Sequence, residues 1–280
     1  MTYKTIVAVL SAAEDAGKVT DHALALARRT GGHVIGIHAE TPVVVTLIAP
    51  MEYPDPNAVV ELQERAQRQS RTVEQAFKFR CERDDISYEW RLFTGTAGYA
   101  SAGIIDSARG ADIVIAGQFD PDLDGSARED IEDLLYESGR PVYLVSNAQA
   151  GPEPIERALV AWNGSREAAR AAFDALPFLT AANEVEIFTV DPPESAAQSR
   201  DFCGAELAAT LARHGIKTTV ASGASDGRSV AETLNRRATE IGAGLIVMGA
   251  YSHSRLRQRL FGGVTSAMMR HARVPTLMSR

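Results

Sequence analysis

The chain is poor in the residues that build disulfides and metal sites. Its 280 residues include two cysteines and six histidines. Cys81 and Cys203 fall in different halves without CxxC spacing, and fit a reducing compartment with no disulfide. The histidines show no pairing at ligand spacing, which argues against a structural zinc or other resident metal. Long apolar runs are also missing. None reaches bilayer-crossing length and no basic-then-apolar leader opens the chain, so a cytoplasmic protein with no membrane partner is expected. No Ser-His-Asp or Cys-His set stands at an informative spacing, and catalytic residues are assigned to none. Basic charge is in deficit, with a formal net charge of −7, and the deficit is uneven. Residues 1–150 hold 14 Lys and Arg against 23 Asp and Glu, whereas residues 151–280 hold 15 against 13. An acidic first half argues against nucleic acid as a partner and makes the second half the better place for an anionic ligand.

What is present is an alternation of short apolar runs with helical periodicity. Thr5–Leu10 reads as a buried strand, Asp21–Arg29 as a helix ended by Gly31-Gly32, and His33–His38 as a second strand. Residues 41–57 read as a long loop and Asn57–Glu82 as a long helix. Ser87–Phe93, Asp112–Ala116 and Pro141–Ser146 read as strands, with helices over Ala97–Arg109 and Asp130–Glu137 between them. Residues 147–153, NAQAGPE, have linker composition, and beyond them the pattern begins again. LVAW at 159–162 repeats VAVL, Ser165–Leu176 is the matching helix, and strands follow at Val185–Val190, Thr218–Ala221 and Leu245–Met248. Helices are expected over Asp201–His214 and Ser229–Ile241 between them. GADIVIAGQ at 110–118 aligns with GAGLIVMGA at 242–250, and GRPVYLVS with RVPTLMS. Two tandem copies of one α/β unit are the result, at residues 1–148 and 149–280. Each copy predicts a five-stranded, doubly wound parallel sheet of Rossmann-like type, with its ligand crevice beyond the carboxyl ends of the strands.

One stretch concentrates the chemistry. LIVMGAYSHSRLRQRLFGGVTSAMMRHARVPTLM, residues 245–278, reads as strand, polar loop, helix and strand. Gly262-Gly263 ahead of the helix permits backbone N–H groups to approach an anion where the helix dipole favours negative charge. The same dipeptide also reads as a tight entry turn. Arg255, Arg257 and Arg259 either draw phosphates in or form a solvated face. Ser165 reads as an N-cap, and His214 as a cation at a helix end.

These residues resemble the universal stress protein family in its tandem form, over both halves. GADIVIAGQ and ESGRPVYLVS carry the resemblance in the first half; VAWNGSREAARA, GAYSHSRLRQRLFGGVT and VPTLM carry it in the second. The resemblance implies an adenine nucleotide alpha hydrolase-like fold and a stress-response regulator that binds ATP, ADP or AMP, with Mg accompanying ATP. The family signature is Gly, two residues, Gly, nine residues, Gly, then Ser or Thr. It falls here on Gly249, Ser252, Gly262 and Gly263, followed by Val264 and Thr265, with His253 beside Ser252. Ala161, Asn163 and Val190 fall where the ribose and adenine contacts are made, Asn163 replacing an Asp. Ser252 stands for a glycine, where a left-handed backbone would cost about 1–2 kcal/mol. Gly263 lacks the hydroxyl donor, worth about 0.5–1.5 kcal/mol. In the first half, Leu10-Ser11 and the acidic stretch at 120–130 imply a degenerate, non-binding copy. The resemblance also implies pairing of PVYLVS with PTLMS inside one chain, an intrachain pseudo-dimer, with association of two chains left open. Two other functions remain open: a nucleotide-independent module serving a protein partner, and a slow ATP-cleaving enzyme.

Overall fold

A computed structural model describes residues 2–11, 13–40, 56–94, 97–118, 131–192, 204–251 and 263–280. The first half contains β1 (Thr5–Val9), α1 (Ala13–Thr30), β2 (His33–Glu40), α2 (Pro56–Arg83), β3 (Tyr88–Thr94), α3 (Ala97–Arg109), β4 (Ile113–Gly117), α4 (Ile131–Glu137) and β5 (Val142–Val145). The second contains β6 (Arg157–Ala161), α5 (Arg166–Asp174), α6 (Leu176–Leu179), β7 (Glu184–Val190), α7 (Ala205–Arg213), β8 (Thr218–Gly223), α8 (Val230–Ile241), β9 (Leu245–Gly249), α9 (Val264–His271) and β10 (Thr276–Ser279). The expected elements appear in the expected order, with strand ends displaced by a residue or two. Most of the expected loop at 41–57 lies outside the described residues, as do Ser252, His253 and Gly262, Arg255, Arg257 and Arg259, the acidic stretch at 120–130, and Cys203.

Two helices depart from expectation. α1 starts at Ala13, eight residues before the periodic segment, and runs through Gly17. A Cβ on Gly17 would lie 2.5 Å from the Arg80 guanidinium, so this glycine is a notch for α2 rather than a stop. The helix expected over Ser165–Leu176 ends at Asp174, and a short separate helix follows with Pro177 in its first turn. Proline has no N–H to continue the α5 ladder.

All ten strands form one sheet, in the order β3-β2-β1-β4-β5-β10-β9-β6-β7-β8. Pairing is parallel within each half, and the two halves join through an antiparallel β5–β10 pair. Tyr143 and Leu277, equivalent positions of the repeat, stand opposite each other there. The intrachain pseudo-dimer is therefore present, and each sheet covers the other's open edge. Because successive strand residues face opposite sides, two apolar layers result. One holds Ile6, Ala8, Val160 and Ile187 under α1, α2, α5, α6 and α7. The other holds Val7, Val9, Leu159 and Met248 under α3, α4, α8 and α9. Both layers run through the join.

Side chains lock the join on each face. On one, Tyr143 stacks on Phe178 at 5.4 Å, Tyr3 donates its hydroxyl proton to the Asp174 carbonyl, and Arg29 donates to the Pro177 carbonyl at 3.0 Å. On the other, Gln118 Nε2 donates to the Ala272 carbonyl at 3.1 Å and Ser146 Oγ to the same oxygen at 2.8 Å, closing the carboxyl end of α9.

His22 of α1 is buried beside this join, with Nδ1 3.3 Å from the Tyr143 hydroxyl and Nε2 without a partner among the described residues. Burial, reinforced by the positive charge of Lys18, pushes its pKa down to about 4. The neutral ring is thus the folded form, and the unfolded chain binds the extra proton. Stability should be complete above about pH 6.5 and fall as pH drops toward 4, by up to about 3 kcal/mol from this group. Urea unfolding across this range should show that slope, and His22→Gln should flatten it.

Candidate functional site

The crevice of a doubly wound sheet opens where the strand order reverses, which in the second half is between β6 and β9. Ala161 pairs in register with Met248 on one side and Phe188 on the other, so the carboxyl ends of β6, β7 and β9 lie side by side. Ala161, Asn163, Val190 and Gly249 of the predicted site therefore converge on one edge.

The turn after β6 is built by its own side chains. Asn163 Oδ1 accepts the Ser165 N–H at 3.1 Å, Gly164 sits at φ +72°, and Ser165 Oγ accepts the Ala168 N–H at 3.1 Å as the N-cap of α5. Ser165 thus acts as the cap its sequence position predicts. The oxygen of Asn163 is occupied by the turn, and its amide Nδ2 is the group left to face outward. Val190 is half-buried in the α8-side layer. Asp191 follows at φ +46°, and its carboxylate accepts the Ser225 N–H at 2.9 Å. The Ser225 hydroxyl and backbone N–H together hold this carboxyl below its ordinary range.

Gly249 has a packing reason to be glycine. A Cβ there would come within 2.4 Å of the Ala168 nitrogen and 2.6 Å of the Glu167 carbonyl carbon, because the first turn of α5 lies across the end of β9. Glu167, in that turn, is buried. Burial pushes its carboxyl up, but the Arg166 guanidinium at 2.5 Å, its own backbone N–H and the Ser165 hydroxyl outweigh burial and hold it below the usual range.

Tyr251 follows two residues later at φ +56° and is buried. Its N–H donates to Thr265 Oγ1 at 3.1 Å, tying the start of the signature loop to the first turn of α9. That helix begins on Gly263 in extended geometry (φ −62°, ψ 159°), with no side-chain cap. Val264 and Thr265 stand in its first turn, Thr265 with its hydroxyl turned inward to Tyr251. Of the ten predicted positions, the described ones thus share one edge and the first turn of α9 that is tied to it. Sequence reading missed Tyr251, Glu167 and Asp191. The signal for Tyr251 was a bulky residue between two motif positions; Glu167 and Asp191 gave none, because only packing distinguishes them from surface acids.

The Thr189 hydroxyl, buried near the end of β7, has no partner among the described residues. By strand register Thr189 corresponds to His38 of the first half. His38 is satisfied there: Nδ1 lies 2.6 Å from the Leu10 carbonyl and Nε2 3.2 Å from Ser70 Oγ, with Trp90 stacked against the ring. Two pockets among the described residues, of 210 and 320 Å³, share Arg157 and Glu184 and lie at the amino ends of β6 and β7. They are on the opposite edge from the crevice. Among the described residues no group of three or more His, Cys, Asp or Glu is placed to hold a metal, and no helix is long and apolar enough to cross a membrane.

Two changes test this geometry. Gly249→Ala should cost about 1–3 kcal/mol by forcing α5 away from β9. Thr265→Val should cost about 1–3 kcal/mol by leaving the buried Tyr251 N–H without an acceptor. Both are read as a lowered urea midpoint at unchanged slope, and a neutral Gly249→Ala would mean that α5 shifts freely.

Comparison with known proteins agrees with this architecture. The model described as the universal stress protein family matches residues 154–280. No curated protein matches the sequence. Among solved structures, a universal stress protein from Archaeoglobus fulgidus is 20% identical, with 99% of this chain and 96% of that one covered at a TM-score of 0.68. A functionally unknown protein from Pseudomonas aeruginosa is 14% identical, covering 99% and 92% at 0.58. The cytoplasmic domain of a prokaryotic cation chloride cotransporter is 15% identical, covering 99% and 95% at 0.51. At these identities the structures attest the fold alone. The second half, residues 154–280, thus matches the universal stress protein family, and the whole chain shares its fold with a universal stress protein of known structure.

Proposed function

We propose that the protein is a stress-response regulator whose second half, residues 149–280, holds an adenine nucleotide as a sensing ligand. ATP, ADP and AMP are the candidates, with Mg accompanying ATP. The carrying observation is the start of α9: a helix opening on an uncapped glycine, fastened beside the end of β9 by the Tyr251–Thr265 bond. Such a terminus offers backbone N–H groups and a positive dipole end to a phosphate. Gly262 and Gly263 would admit the phosphates, Ser252 and His253 would flank them, and the Asn163 amide would face the ribose. Ala161 and Val190 would line the adenine side, and the unpartnered Thr189 hydroxyl is a buried group that a ligand or a water could satisfy. The first half, residues 1–148, reads as non-binding: His38, with Trp90 stacked against it, occupies the position that matches Thr189, and α4 opens on Glu132 and Asp133, which repel an anion.

A second reading, a nucleotide-independent module serving a protein partner, is favoured by one observation. The Asn163 oxygen and the Thr265 hydroxyl, both assigned to the ligand, are engaged within the fold. Titration calorimetry with ATP, ADP and AMP separates the two. Gly263→Asp should supply a good N-cap, preserving the helix, while placing a carboxylate where the phosphate sits. Wild-type protein should bind with a micromolar to millimolar constant, and the variant should lose at least about tenfold, equivalent to 1.4 kcal/mol. Absence of binding at millimolar nucleotide would favour the interaction module. Steady phosphate release abolished by the same variant would point to the enzyme.

A further inference from the structure

The first half touches the residues on both sides of the second half's signature loop. α4 is the first-half counterpart of α9, and its opening turn carries Glu132 and Asp133. Ser266, the third residue of α9, donates its hydroxyl proton to Glu132 Oε1 at 3.2 Å. On the other stem of the loop, the Tyr251 ring lies 4.6 Å from the ring of Tyr136 in α4. The Tyr251 hydroxyl is buried without a hydrogen bond of complete geometry, and Glu132 and Ser266 are the polar groups beside it. Burial first, and the Glu132 charge second, push the ionisation of this hydroxyl upward, so it stands as a neutral donor facing the carboxylate. Arg280 completes the cluster, its guanidinium 3.8 Å from the Tyr136 ring centroid.

We infer that Glu132 serves the α9 amino terminus as an internal counter-anion, joining the two stems of the ligand loop and competing with the phosphate of a nucleotide bound there. A carboxylate at a helix start interacts with the same dipole end and N–H groups that a phosphate would use. The degenerate half thereby sets the affinity of the binding half. This rests on the nucleotide reading given under Proposed function.

The test uses the full chain and two probes without magnesium, ATP and inorganic tripolyphosphate, followed by calorimetry. Glu132→Gln keeps an oxygen for Ser266 and removes the charge. It should tighten both probes about two- to fivefold, with the gain shrinking as salt rises. Ser266→Ala, which leaves the charge in place, should give no such gain, and thermal melts check that both variants fold. Equal ATP affinity in wild type and Glu132→Gln overturns the inference and leaves the nucleotide reading intact. A gain for tripolyphosphate with no ATP binding supports the inference and removes the adenine. Weaker binding in Glu132→Gln, whether with magnesium restored or without it, overturns the inference by making Glu132 a metal ligand or an anchor. No binding of either probe by any variant overturns both readings.

Discussion

Two parallel sheets that each end on a buried strand present a row of unpaired backbone donors and acceptors, and here each sheet covers the other. The β5–β10 pair is the one antiparallel contact in the ten-stranded sheet. It places Tyr143 opposite Leu277 and sets an approximate twofold relation between the halves. Because strand faces alternate, this single pairing also makes both apolar layers continuous from end to end. Each half on its own would expose four residues of backbone along a strongly apolar edge, a template for aggregation.

The join reaches further than the strands that form it. Gln118 and Ser146 of the first half close the carboxyl end of α9, and Glu132 of the same half meets its amino end. α9, the helix of the proposed ligand site, is thus held at both ends by the other half. Tandem fusion makes such an arrangement possible, since two identical chains could not differ at equivalent positions. The same duplication relaxes constraint elsewhere: one register position holds His38, bonded through both ring nitrogens, in one copy and Thr189, without a partner among the described residues, in the other. A fold shared with a transporter's cytoplasmic domain leaves function to such local differences.

The buried Glu167 lies against Gly249 inside the second half. The motif glycine is therefore needed first for the passage of α5 over β9, whatever it also permits for a ligand.

Composition, strand-helix alternation and the internal repeat were enough to establish two tandem α/β units and their element order, which follow from local periodicity. The pairing of their last strands came from the family resemblance, in keeping with the rule that an apolar strand edge must be covered. The sequence also marked Ser165 as a cap and Gly249, Asn163 and Val190 as neighbours at one sheet edge, because each lies at the end of a strand. It could not show that α1 passes through Gly17, since the reason is an arginine 63 residues away in α2. Nor could it show that the Thr265 hydroxyl is spent on Tyr251, that Asn163 closes its own turn, or that Glu132 faces α9. Those depend on which groups the folded chain brings within hydrogen-bond reach, from 2 residues apart for Asn163 and Ser165 to 134 for Glu132 and Ser266, and only the tertiary structure decides that.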